Sequence, residues 1–169
     1  MTMTLEELNS LPNPALEKLL QDGETPDFDE LAGWEFCGVN SPSWAKLAGI
    51  KKFAKGFQLQ DGDLYGYNLS AAGGSLDEPW QVKPNNESPK RFGFYRVSKV
   101  EPTSRDNLYL HALLLDYGRG KNPRLDPSRG LRDYLVRLEK DLYLGKAYYA
   151  VGSRRVFASY FFLRRWRKN

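Results

Sequence analysis

The chain has 169 residues, 25 Lys and Arg against 21 Asp and Glu, 41% hydrophobic and 14% aromatic residues. This composition is that of a globular rather than a disordered chain, long enough for one domain with a sizeable core. One cysteine excludes an internal disulfide framework, one histidine excludes a His/Cys metal cluster, and no apolar run approaches the roughly 20 residues of a spanning helix.

Met1-Thr2-Met3-Thr4-Leu5-Glu6-Glu7 lacks the basic and apolar regions of a signal peptide, so the expected localisation is cytoplasmic. The net charge of +4 hides a gradient. Residues 1–50 hold nine acids and two bases, and residues 51–169 twelve acids and twenty-three bases. Such asymmetry can serve nucleic acid, but the bases are spread over many predicted strands rather than clustered, which argues against that partner. The simpler expectation is that the acidic start lies across a basic body.

Leu5 to Gln21 reads as helix, interrupted by Asn9-Ser10-Leu11-Pro12-Asn13-Pro14. Asn13 is the expected cap of the second piece, Pro14 its first position and Gly23 its stop. Leu16, Leu19 and Leu20 form a narrow stripe suited to docking on a sheet. The expected division is a helical leader, 1–24, and one domain, 25–169.

Leu31-Ala32-Gly33-Trp34-Glu35-Phe36-Cys37-Gly38 opens a long series of strands, with Trp34, Phe36 and Gly38 in period-two register. Ser41-Pro42 to Gly49 predicts a short helix around Trp44. Strands follow at Lys52–Gln58 and Leu64–Leu69, joined by an Asp61-Gly62-Asp63 turn. Residues 71–89 are loop-rich, with a short strand at Trp80-Gln81-Val82; so long a loop is often functional. Further strands are predicted over 91–100, 108–117, 131–138, 142–151 and 155–166, with a turn or one helical turn at Asp126–Gly130. Strands joined by turns, without alternating helices, imply antiparallel pairing, and closure removes their edges. The fold class is therefore all-β: an antiparallel β-barrel of about 8–10 strands with a short N-terminal helix.

A Gly-x-Trp at the start of the first strand and a basic residue in the last resembles lipocalin and calycin barrels, whose arginine packs over the tryptophan at the barrel base. Here the tryptophan is Trp34, in Gly33-Trp34-Glu35-Phe36-Cys37-Gly38, whose register fits GxWxG in part, and the basic residue is Arg164 or Arg165. The order of elements also resembles a small bacterial family named for its GxWxG motif, with late strands of the type Leu131-Arg132-Asp133-Tyr134 and Leu142-Tyr143-Leu144-Gly145-Lys146. The resemblance implies a calycin-like barrel with an internal cavity, and a barrel seal formed by Trp34 with Arg164 or Arg165.

Tyrosine offers a ring and a hydroxyl, suited to a mostly apolar ligand with one polar group. Tyr65, Tyr67, Tyr95, Tyr134 and Tyr149 are the candidates, with Arg96 and Arg137 mid-strand, each needing an anionic partner such as Glu35, Asp133 or a ligand carboxylate. His111 is a further candidate for the pocket. The expected function is binding of a small, mostly apolar molecule, fatty-acid-like or aromatic, with no metal and no cofactor. One alternative is an acid–base enzyme of isomerase or cyclase type using His111 and Tyr95. Another is haem ligated through His111.

Overall fold

The computed structural model describes residues 2–41 and 52–169. The helix expected around Trp44 lies outside the described residues. Eight strands form an up-and-down antiparallel meander: β1 (Trp34–Asn40), β2 (Lys52–Gln60), β3 (Asp63–Ala72), β5 (Arg91–Lys99), β6 (Leu113–Asp116), β7 (Leu131–Glu139), β8 (Leu142–Val151) and β9 (Arg154–Lys168). Each pairs with the next, and β9 returns to pair with β1, so the sheet closes into an eight-stranded barrel. The short β4 (Gln81–Val82) adds to β3 outside the ring, in the long loop where a strand was expected. Among the described residues, no helix is long and apolar enough to cross a membrane.

Local chemistry sets several of these boundaries. The β2–β3 hairpin turns on Asp61 and Gly62, both at positive φ, the two-residue connection whose twist matches paired strands. Four glycines face an aromatic ring directly across a strand pair: Gly38 with Phe53, Gly56 with Tyr67, Gly66 with Tyr95 and Gly145 with Phe161. A Cβ at Gly145 would stand 2.0 Å from the Phe161 ring, so the missing side chain is what lets each ring lie across the neighbouring strand. The strand expected over 108–117 is shorter than the sequence implies. Only Leu113–Asp116 pairs, and 108–112 turn across the outer wall.

Helices α1 (Leu5–Ser10), α2 (Asn13–Asp22) and α3 (Phe28–Leu31) precede the barrel. Thr4 and Glu7 form a reciprocal cap that starts α1. Pro12, not Asn13, is the cap residue of α2, with Pro14 in its first turn. Helix α2 packs on the outer wall. Leu16 and Leu20 join Val136, Leu144, Tyr160 and Phe162 in one apolar layer outside the sheet. The short α3 sits at one end of the barrel, where Leu31 joins Phe36, Phe57, Tyr143 and Leu163 inside.

A polar rivet holds α2 to the wall. Glu17 accepts from Lys146 Nζ at 2.6 Å, Tyr160 OH at 2.7 Å and Tyr109 OH at 3.0 Å. Lys146 lies within 5.3 Å of the Tyr109, Tyr148, Phe157 and Tyr160 ring centres. Burial pushes the Glu17 carboxyl up, but these hydrogen bonds, with one from Gln21, outweigh it and hold its pKa at about 2. Other acids of the first 50 residues meet basic side chains late in the chain too: Glu24 and Glu30 pair with Arg137, and Glu35 with Arg167.

Because the Glu17 pKa is lowered on folding, its stabilisation is complete above the ordinary value of about 4.5 and is lost as pH falls towards about 2. Glu17→Gln should cost about 1–2 kcal/mol at pH 7, discounted for its partial exposure. The wild-type advantage should shrink in urea melts between about pH 4.5 and 2. An advantage unchanged across that range would show that the rivet contributes no charge-dependent stability.

Candidate functional site

Alternation along closed strands divides the interior into two halves. Below, Leu31, Phe36, Phe57, Leu64, Val97, Leu113, Leu115, Leu135, Tyr143 and Leu163 fill the barrel. Phe36 packs edge-on against Phe57 and Tyr143, with ring centres 5.5 and 5.4 Å away. Above, a cavity of about 470 Å³ opens between the strands, within the range of roughly 300–1,000 Å³ usual for small-molecule sites. Phe53, Phe92, Phe161, Leu131, Ala71, Ala147 and Ala158 supply its apolar wall. Asn40, Lys52, Ser70, Lys83, Ser128 and Ser159 add polar groups to it.

The same cavity is lined by four polar side chains from four elements: Lys55 of β2, Asn68 of β3, Asp133 of β7, and Tyr117, which begins the 3-10 turn Tyr117–Arg119 after β6. Lys55 Nζ donates to Tyr117 OH at 2.5 Å and Asn68 Oδ1 at 2.9 Å, and lies 3.3 Å from Asp133 Oδ2. Tyr117 OH donates to Asp133 Oδ2 at 3.2 Å and accepts from Asn68 Nδ2 at 3.1 Å. Four rings surround the Lys55 nitrogen: Tyr95 at 4.8 Å, Tyr117 and Phe161 at 5.2 Å, and Phe53 at 5.6 Å.

This network leaves one demand unmet. Asp133 Oδ1 is buried and has no hydrogen-bond partner among the described residues. The Lys55 and Asp133 side chains are only 3% and 5% exposed. Burial lowers the Lys55 pKa against the pull of Asp133 and raises that of Asp133 against the pull of Lys55 and Tyr117. Burial also lifts the Tyr95 and Tyr117 phenols well above their ordinary range. Burial thus works against the charged form of both members of the pair.

The residues singled out in the sequence lie mostly elsewhere. Tyr95 faces inward, but its hydroxyl donates to Gly56 O at 3.0 Å beneath the cavity. Tyr67, on the outer face of β3, donates to Glu35 at 2.8 Å. Tyr65 shares that outer face, since Leu64 and Asn68 point in. Arg96 pairs with Asp63, and Arg137 with Glu24 and Glu30, so neither uses the expected partners Glu35 and Asp133. Tyr134 packs outside against Tyr109 and Tyr148. Tyr149 donates to Pro127 O at 2.5 Å over Gly130. His111 lies on the outer loop, its Nε2 2.8 Å from Leu20 O at the end of α2.

The expected pocket thus exists with a different set of residues, because strands covered outside as well as inside carry aromatic residues on both faces. Arg165 stands 4.7 Å over the Trp34 ring and donates to Glu30 O, whereas Arg164 turns outward to Met3 O. Burial pushes the Cys37 thiol up to about 12, away from nucleophilic thiolate chemistry. Among the described residues, no group of His, Cys, Asp and Glu is arranged to hold a metal ion.

Lys55 and Asp133 were nonetheless marked in the sequence. Lys55 is in phase with Phe53 and Phe57, and Asp133 with Leu131 and Leu135. A charge in step with apolar neighbours on a strand is the signal that finds such a site. No protein-family model and no curated protein matches the chain.

Proposed function

We propose that the protein binds a small, mostly apolar molecule in the barrel cavity, with an oxygen-bearing head group seated against Lys55 and Asp133. The supporting observation is the unpartnered Asp133 Oδ1 in a cavity otherwise walled by Phe53, Phe92, Phe161 and small apolar residues. Burying an acceptor without a partner costs about 1–3 kcal/mol, so a ligand that supplies a donor recovers that energy. A hydroxyl donates to the carboxylate. A carbonyl accepts from the protonated acid. The pair meets either, since Asp133 Oδ1 is without a partner and burial disfavours the charge on that carboxyl.

The alternative of acid–base catalysis by His111 and Tyr95 draws no support from their positions, outside the wall and beneath the cavity. Titration calorimetry with 2-naphthylmethanol tests the binding reading. Saturable one-to-one binding to the wild type is expected. Ala147→Phe, which fills the cavity, should abolish it in a protein that still melts cooperatively. Absence of binding by this alcohol and by decanol, or undiminished binding to Ala147→Phe, would end the reading.

A further inference from the structure

Resting on that reading, we infer that Lys55 captures the carbonyl of an apolar aldehyde as a Schiff base, with Asp133 moving the proton. The geometry is that of a primary amine reached through an apolar cavity, with an acid 3.3 Å away and a phenol at 2.5 Å. Three acceptors around Nζ hold an ammonium as built. Transfer of one proton to Asp133 yields the neutral amine and the neutral acid with no change in total charge. Burial favours that neutral form of both groups. A lysine desolvated among apolar side chains is an activated nucleophile for carbonyl carbon.

The reaction balances within the cluster. The Lys55 lone pair forms the N–C bond while the carbonyl π pair moves to oxygen, which takes the Asp133 proton. A proton leaves nitrogen for the Asp133 carboxylate, Asp133 returns a proton to the carbinol oxygen, and water departs as the C=N bond forms. The product is a protonated imine on Lys55 with the Asp133 carboxylate as its counter-ion, plus one water. The partnerless Oδ1 is the oxygen free to reach the substrate, because Oδ2 is occupied by Tyr117 and Lys55. Phe53, Phe161, Tyr95 and Tyr117 ring the nitrogen, where they stabilise a cation and exclude competing water.

The test is reductive trapping. Wild-type protein is incubated at neutral pH with 2-naphthaldehyde and cyanoborohydride, then weighed intact and mapped by peptide mass. One naphthylmethyl group on Lys55 is expected, in preference to Lys52 and Lys83 at the same cavity and to surface lysines. 2-Naphthylmethanol, which cannot form an imine, should compete with the labelling. Asp133→Asn keeps the side-chain volume but cannot carry the proton, and should slow trapping by about tenfold or more. Label spread over lysines as in urea-unfolded protein, or none while the alcohol still binds, overturns covalent capture and leaves the binding reading standing. Neither trapping nor alcohol binding overturns both.

Discussion

Asp133→Leu is expected to destabilise the protein by about 3–5 kcal/mol, because it strands the Lys55 charge in the barrel interior. Against a total of roughly 5–15 kcal/mol for a domain, that is a large share. Lys55 is 3% exposed, and after the substitution only Asn68, Tyr117 and four ring faces remain around it. The double variant Lys55→Met/Asp133→Leu should recover most of the loss, since exchanging a buried ion pair for apolar side chains is often neutral or stabilising. The single variant should also gain stability as pH rises. The folded state there holds Lys55 below its ordinary pKa, so the unfolded chain binds more protons and alkalinity favours folding. Urea melts at several pH values check each expectation. Equal midpoints for the single and double variants would show that the pair is not coupled.

Phe36→Ala is the second large effect, at about 3–5 kcal/mol. The ring is fully buried and meets Phe57 and Tyr143 edge-on, so truncation removes two aromatic contacts as well as buried area. Trp34→Ala should cost less, about 1–3 kcal/mol, because its ring is only partly buried and is covered by Arg165 and Lys168. The tryptophan is the conspicuous residue of the strand, yet the phenylalanine two positions on lies deeper. Thermal melts in which Trp34→Ala falls further than Phe36→Ala would reverse this order and make the end contact the main support.

The barrel itself was legible in the alternation of strands and in turn residues such as Asp61-Gly62. Which face of each strand points inward was not. Val136, Leu144, Tyr160 and Phe162 are apolar because α1 and α2 cover them from outside, so β7, β8 and β9 are buried on both faces. Tyr134 and Asp133 illustrate the result: the tyrosine, which reads as pocket-lining, packs outside, and the aspartate lines the cavity. The alternation over 108–117 predicts His111 on a strand. The described chain there is a loop tied to α2, a tertiary preference no local pattern encodes. Polar residues in phase with apolar ones were the better guide than aromatic residues, because only burial with partners explains a lysine between two phenylalanines.

Closure of the barrel by β1 and β9 also dictates when the protein can fold as it is synthesised. Glu35 and Arg167, which lock that seam, are 132 positions apart in the chain. Until Arg154–Lys168 leaves the ribosome, β1 presents a row of unpaired N–H and C=O groups, and the cavity lacks the wall that carries Ser159 and Phe161. Nearly the whole domain must therefore be made before its first strand finds its second neighbour. Long-range pairing of this kind slows folding and leaves the nascent sheet open to association with other chains. Substitutions that weaken the Glu35–Arg167 seam should consequently lower the yield of soluble protein more than its melting temperature.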